Sequence, residues 1–429
     1  MHVGSFHRLM KLLIDSGECA TLEEAVATFA GYGVRLALSD EVASSPAQQI
    51  IALTAINTAA RSFQGNVHIS APHDLLLWVP GFEGVPLSAF AAWAGVNLAC
   101  QPMPAWPEIH IGLRRQDDHA AAIKPWVGRW AFGIGDQAAA PAAIGGPVAT
   151  FVPACVAAGA LAVSEAFSSL RRDNPYAGRR SMTFSLWSMK ADTAQPPEGA
   201  VTRLDGGLWL VGLGHLGQAY CWTLGMMGDL VKGPLVLQDI DVVTASTITT
   251  SVLSMPADLK RKKARVVAEW MENRSFDTHL VERRFDAATR RAADEPMTAL
   301  FGVDNPAARR ACEGAGFSLV LDAGLGSGYK DFRSLRVRAF PGRSSASKIW
   351  APGEEVADKQ LAAAYGAMLA AGKEPCGVTT LATRAVGAPF VGCYAAAILV
   401  AELLRRKAGL AGNSVVDVSL RSPQVAELA

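Results

Sequence analysis

The most specific chemistry in this chain sits in six consecutive residues, GLGHLG at 212–217. Gly212, Gly214 and Gly217 fit the GxGxxG pattern, which permits a tight turn, close approach of a phosphate to backbone, and packing of a helix on a strand. A short apolar run, Leu208–Val211, precedes the turn, and an apolar helical stretch, QAYCWTLGMMGDL, follows it. The free N–H groups and positive dipole end of that helix suit an anion. A second apolar run, PLVLQDID (234–241), ends in Asp239 and Asp241, and Asp239 lies 22 residues beyond Gly217. An acid so placed can bond ribose hydroxyls. These features point to a nucleotide site. Spacing to an acid does not settle which nucleotide, and a nicotinamide-dependent oxidoreductase would need no more than these residues.

The elements that must position this site alternate. THLVERRF, MTALFGVDN and FSLVLDAG read as later strands, separated by helical patterns such as 260–274. That cadence predicts an α/β fold, Rossmann-like, with a doubly wound, mostly parallel sheet. Residues 190–206, polar and carrying Pro-Pro, read as a linker, so residues 1–189 and 207–429 form two domains. The first has no glycine fingerprint but has a helix at 48–63 and a strand at GNVHIS. Its last helix (151–172) resembles 390–406: both open with Phe-Val, pass through Cys, reach a Glu and end in Arg-Arg. This predicts a diverged duplication, a degenerate first copy and an active second one. Residues from about 340 to 388 read as a long crossover with a helical patch.

Composition narrows the rest. Half of the 429 residues are hydrophobic, which excludes a disordered chain. A formal net charge of +1 gives no reason to expect a nucleic-acid or membrane partner. The ten Trp residues are spread out without basic interleaving. Seven scattered cysteines without a CxxC pair argue against a disulfide framework or thiolate zinc site. The stretch MHVGSFHRLMKLL breaks any export signal with His and Arg, and a reducing cytoplasm is the expected location. Two Ala-rich segments, 144–167 and 386–404, read as buried helices of a large domain.

Beyond the glycine turn, LVLQDIDVVTASTITT, then KRKKARVVAEW, then FGVDNPAARR, resemble the ThiF/MoeB family, which includes the ubiquitin-activating enzymes. Asp239, Asp241 and Val243 match its D-x-D-x-V strand end. Lys263 matches a helix-opening lysine, and Asp304, Asn305 and Arg309 match a strand ending in Asp-Asn with Arg four residues on. The resemblance implies ATP and Mg²⁺ as cofactors and adenylation of the C-terminal carboxylate of a ubiquitin-like or sulfur-carrier protein. It implies that Lys263 neutralises phosphates, that Asp304 holds Mg²⁺, and that Asp239 holds the ribose. Asn305 and Arg309 would line the site or cap and pack.

There are departures. The family's Asn and Arg positions fall on Thr247 and Thr250. Lys260, Arg261 and Lys262, or an arginine reaching across from the first copy such as Arg8, are candidates to replace that Arg. Cys376, in EPCGVTTLATRAVGAP, falls where relatives carry a thioester cysteine. A loop thiol near Lys373 and Arg384 could have a lowered pKa. Such a thioester would be handed to a conjugating enzyme. Cys155, Cys221, Cys312 and Cys393 read as core. Either a pseudo-dimer within one chain or a homodimer would complete the site. A catalytically inactive scaffold is the reading if the missing Arg is not replaced.

Overall fold

The computed structural model describes residues 7–112, 122–135, 151–197, 199, 202–326, 328–352, 365–366, 382, 385–423 and 425–429. In the first half come α1 (Lys11–Asp15), α2 (Leu22–Ala30), β1 (Val34–Leu38), α3 (Pro46–Ser62), β2 (Val67–Ser70) and α4 (Leu87–Ala94). They are followed by β3 (Glu108–Ile111), β4 (Pro125–Gly128), β5 (Ala131–Ile134), α5 (Val152–Arg171) and β6 (Met182–Ser185). Local chemistry sets several of these boundaries. Thr21 and Glu24 form a capping box at α2, and Ser45 caps α3 with Pro46 at its first position. Strands β2-β1-β3 are parallel and β4-β5-β6 antiparallel. A parallel bridge between Ile109 and Ile123 joins β3 to the chain entering β4.

The second half holds β7 (Leu208–Val211), α6 (His215–Met227), β8 (Leu235–Gln238), α7 (Ala245–Ile248), α8 (Lys263–Glu272), β9 (Thr278–Val281) and β10 (Thr298–Phe301). Then follow α9 (Pro306–Ala311), β11 (Leu319–Leu325), β12 (Ser334–Phe340), α10 (Ala346–Ile349), α11 (Pro389–Lys407), β13 (Val415–Ser419) and β14 (Glu427–Leu428). Among the described residues they build one eight-stranded sheet, ordered β14-β13-β12-β11-β10-β7-β8-β9. Its β9-β8-β7-β10-β11 part is parallel in the Rossmann-like order. The sheet is mixed rather than parallel throughout, because β12, β13 and β14 add antiparallel strands. The short connection between β11 and β12 leaves no room for a crossover helix and forces that reversal. β12 begins before the expected crossover at 340, and most of the remainder of that stretch, including 367–381, lies outside the described residues.

Four helices form the layer between the two halves. α3 packs on α5, α5 on α11, and α11 on α6. One continuous core runs from β1 and α3 through these helices to the near face of the eight-stranded sheet. A second core lies on the far face, under α9 and α10. α5 is long and apolar enough to cross a membrane, but 94% of its most apolar window is buried inside the molecule. α11 is likewise buried from Pro389 to Arg405. The segment 190–206 does not hang free: Lys190 bridges to Ser185, Gln195 donates to Gly128 O, and Leu204 pairs with Val231.

The α3–α5 contact depends on Gly159. A Cβ there would lie 2.6 Å from the Ile51 carbonyl oxygen, a backbone atom. Gly159→Ala should gain about 1 kcal/mol of helix propensity but lose about 1–3 kcal/mol to overpacking. The expected net result is a lower urea midpoint at unchanged m-value.

Candidate functional site

A cavity of about 470 Å³ opens at the C-terminal ends of β7, β8 and β10. It lies where the strand order reverses, since β7 is followed by β8 on one side and flanked by β10 on the other. This is the ligand crevice of an open α/β sheet. The three fingerprint glycines divide the work. Gly212 has φ +83°, and a Cβ on it would stand 2.6 Å from Val303 Cγ1. A Cβ on Gly217 would overlap the Gly212 carbonyl, so that glycine lets α6 seat on the turn. Gly214 has open space on its side-chain face and lines the cavity. It is also the N-cap of α6, and no side chain caps that helix. The first-turn N–H groups therefore remain available to an anion.

The acids sit at the strand ends. Asp239 accepts from Leu213 N (2.6 Å) and from Asp241 N (2.7 Å), locking the glycine turn to the end of β8. Asp241 pairs with Lys263 Nζ at 2.9 Å, and Lys263 N donates to Asp241 O at 3.0 Å. Asp304 is exposed on the cavity wall just beyond β10, without a partner among the described residues. Asn305 caps α9, its Oδ1 accepting from Ala307 N (2.8 Å) and Ala308 N (3.4 Å). Arg309 lines the cavity but is committed behind it. Its Nε is 3.0 Å from Asp322 Oδ1, and it donates to Ala323 O. Burial pushes Asp322 up to about 7, against the pull of Arg309 and Arg338.

Arg8, from the first half, lies beside Thr250. Thr250 is buried, and its methyl and Arg8 Cδ both lie within 3.4 Å of one point beside Gly387. Arg8 lines the cavity there. The basic run before α8 is turned elsewhere: Arg261 pairs with Asp258 and Glu269, and Lys262 donates to Ile240 O. Neither Lys260, Arg261 nor Lys262 lines the cavity. His215 fills the space between Arg8 and α11. It hydrogen-bonds Ala388 O at 2.9 Å, and a Cβ on Gly392 would meet its ring at 2.6 Å.

Two residues on the wall went unnoticed in the sequence. Arg283 and Arg284 follow β9, line the cavity, and make no ion pair among the described residues. The Arg283 carbonyl accepts from Gln238 Nε2, and the buried Phe285 anchors the loop edge-on against Phe301. The ERRF stretch carried the signal, because adjacent arginines directly after a strand in this order must fall at the crevice.

Cys376 lies outside the described residues. Cys155, Cys312 and Cys393 are buried with thiols pushed up to about 12, and Cys221 is pushed up as well. Such thiols are inert as nucleophiles. Among the described residues, His, Cys, Asp and Glu form no cluster that would hold a metal by itself. A single free carboxylate fits Mg²⁺ that arrives on phosphate oxygens and needs only one or two protein ligands.

A parallel sheet with a glycine turn, an uncapped helix and acids at the strand ends defines a Rossmann-like α/β protein with a polyanion-competent crevice. Models of the BilD N-terminal and C-terminal domains match residues 33–186 and 204–410. The bacterial E1-like protein BilD of Collimonas sp. (strain OK412) is 39% identical over 417 residues, 94% of this chain and 89% of that one. The chain belongs to this BilD family of bacterial E1-like proteins. Among solved structures, E. coli MccB with MccA-N7isoASN is 14% identical at a TM-score of 0.35, and E. coli MccB with ATP is 13% identical at 0.34. Both match 52% of this chain, and the match spans less than two thirds of MccB, 64% and 63%. Likeness at that level does not bear on the site.

Enclosure, with the positive charge of Arg8 adding to it, pushes His215 down to about 3. The folded state therefore holds His215 neutral while the unfolded chain takes up a proton below about pH 6.5. Its contribution is intact above that pH and is lost as pH falls toward 3. In His215→Gln this loss should disappear. Between pH 6 and 4.5, urea unfolding of the unmodified protein should lose up to roughly 1.4 kcal/mol per pH unit more than the variant.

Proposed function

We propose that this chain is an activating enzyme that adenylates the C-terminal carboxylate of a ubiquitin-like or sulfur-carrier protein, using ATP and Mg²⁺. One observation carries the reading. In a chain of an E1-like family, the glycine turn, Lys263 and Asp304 border one cavity at the sheet's switch point. The substrate carboxylate oxygen attacks the α-phosphorus, the bond to the α–β bridging oxygen breaks, and pyrophosphate leaves with its negative charge. Lys263 and Arg8 offset charge on the phosphates, and a charge held at a fixed place lowers such a barrier. Asp304 would hold the Mg²⁺, which would supply positive charge to the phosphates, and Asp239 and Asp241 would face the ribose. Arg283 and Arg284 add positive charge at the rim.

We read the first half, residues 1–189, as a diverged copy of the second, 207–429, with 190–206 between them. The strand order β2-β1-β3-β4-β5-β6 has the same sequence of directions as β8-β7-β10-β11-β12-β13. The pairing of α3 with α5 mirrors that of α6 with α11. Each long helix carries a buried glutamate at the same position from its start. Glu165 accepts from Arg180 and Gly178 N, and Glu402 from Arg405, Arg406 and Asn413 N. After β1, however, the glycine turn is replaced by Ser39-Asp40-Glu41. Two carboxylates there repel phosphate, so the first copy supports rather than binds nucleotide. A pseudo-dimer within one chain then supplies what two subunits would.

The thioester step rests on Cys376, which would take the acyl group from AMP before passing it to a conjugating enzyme. Unpaired cysteines throughout the described residues suit a reducing cytoplasm.

Thermal melting with Mg²⁺-ATP, with NAD⁺ and with neither tests the nucleotide. ATP at 100 times its Kd should stabilise by about 2.7 kcal/mol, and Asp304→Ala should weaken that shift. A shift with NAD⁺ alone would sink the adenylation reading, and no shift with either would favour a scaffold. Cys376→Ala should abolish a reducible adduct with the carrier protein on non-reducing gels while sparing AMP formation. An adduct that persists removes Cys376 from the scheme.

A further inference from the structure

Arg61, on α3 of the first half, is buried and makes no ion pair among the described residues. A guanidinium enclosed without a carboxylate is costly unless its donors are spent, and these are spent on oxygens and on Met255 Sδ at 3.5 Å. Nε donates to Ser251 O (3.1 Å) and Nη2 to Ser254 O (3.3 Å). Nη1 donates to Asn57 O (3.2 Å) and Asn57 Oδ1, with Ala94 O at 3.4 Å. Its neighbour Asn57 donates to Val252 O at 3.1 Å. From the other side Gln218 of α6 accepts from Leu253 N (2.9 Å) and donates to Leu213 O (3.1 Å) in the glycine turn. Every residue from 251 to 254 is therefore held through its backbone by a side chain of α3 or α6. That segment begins at Thr250, beside Arg8, and leads on to Lys263.

The carbonyl of the same arginine holds the chain on the other side of Arg8. His7 Nδ1 accepts the N–H of Leu9 (3.2 Å), so Nε2 carries the proton it donates to Arg61 O at 2.6 Å. His7 is buried against Phe29 with ring centroids 4.9 Å apart. Arg8 is thus flanked by a residue tied to the Arg61 carbonyl and lies against a loop tied to the Arg61 guanidinium.

We propose that Arg61 is a positioning residue through which the first half aims Arg8, and the segment leading to Lys263, into the cavity of the second half. This rests on the reading of Arg8 as a phosphate ligand. An arginine that reaches a polyphosphate is useful only at a fixed place, and a displacement of about 1 Å is enough to cost most of such an effect. The fused first half then has a defined task in the site, which is to hold one cation of the second half in register.

The test is calorimetric binding of Mg²⁺-ATP and of adenosine to the full-length protein and to Arg8→Ala, His7→Phe and Arg61→Lys. Each variant should bind Mg²⁺-ATP about tenfold more weakly, the loss of one charge-assisted contact. Adenosine, which has no phosphate, should bind within about twofold of the unmodified protein. The double variants His7→Phe/Arg8→Ala and Arg61→Lys/Arg8→Ala should be no weaker than Arg8→Ala alone. Losses that multiply, adenosine affinity that falls in parallel, or ATP affinity unaltered in His7→Phe and Arg61→Lys would overturn the proposal. His7→Phe keeps the ring against Phe29, so it decides the matter if Arg61→Lys does not fold. An unmodified protein that binds no ATP would overturn the adenylation reading first, and this proposal with it.

Discussion

Everything at the site depends on how closely α6 approaches the end of β7. There is no room for a methyl group between Gly217 and the Gly212 carbonyl, and that contact fixes where the helix starts. Because it starts at Gly214 without a side-chain cap, its first amides are left over for something else. Asp239 then draws one amide of the turn, Leu213 N, to the end of β8, and Gln218 ties the carbonyl of the same residue to Ser254 Oγ and Leu253 N. A turn held from both sides does not need a ligand to take its shape. Pre-organisation of this kind keeps the ordering cost out of binding.

The two halves are one physical object. The four-helix layer puts apolar surface of each half against the other, and polar side chains cross it at chosen points. Trp222 of α6 donates to Thr54 of α3 at 3.1 Å, and the buried Arg333 pairs with Asp173. The buried Tyr365, within the long crossover, donates to Asp15 of α1 at 2.6 Å. Tyr365 is thus tied to the helix that follows Arg8. Polar contacts in a dry interface specify geometry more than they add stability, because each must be satisfied in one arrangement.

Much of this was legible because the residues concerned had only one physical use. A glycine turn between an apolar run and a helix, with acids at the next strand end, has few alternatives, and Asp239, Asp241, Lys263 and Asp304 all come to one crevice. Arg8 was harder to read, since an arginine in a short N-terminal stretch is ordinarily solvated and only the fold brings it beside Thr250. β12 and β13 escaped notice for a different reason. Their apolar residues alternate with Arg336, Arg338 and Asp417, whereas the parallel strands are continuous apolar runs. Arg283 and Arg284 were visible as letters, but their place required knowing that β9 sits next to β8. Asn305 and Arg309 fit the family pattern, yet Asn305 caps α9 and Arg309 is engaged with Asp322.

The burial of α5 has a consequence for how the chain is made. That helix is covered on one side by α3, which precedes it by about a hundred residues, and on another by α11, which lies more than two hundred residues downstream. On a ribosome the first half emerges long before its cover does. An apolar helix of twenty residues then waits, uncovered on one flank, for the time needed to synthesise the whole second half. The first half is therefore a poor candidate for independent folding during synthesis. The native layer closes only when α11 has cleared the exit tunnel, which makes late docking of two partly formed halves the natural order of assembly.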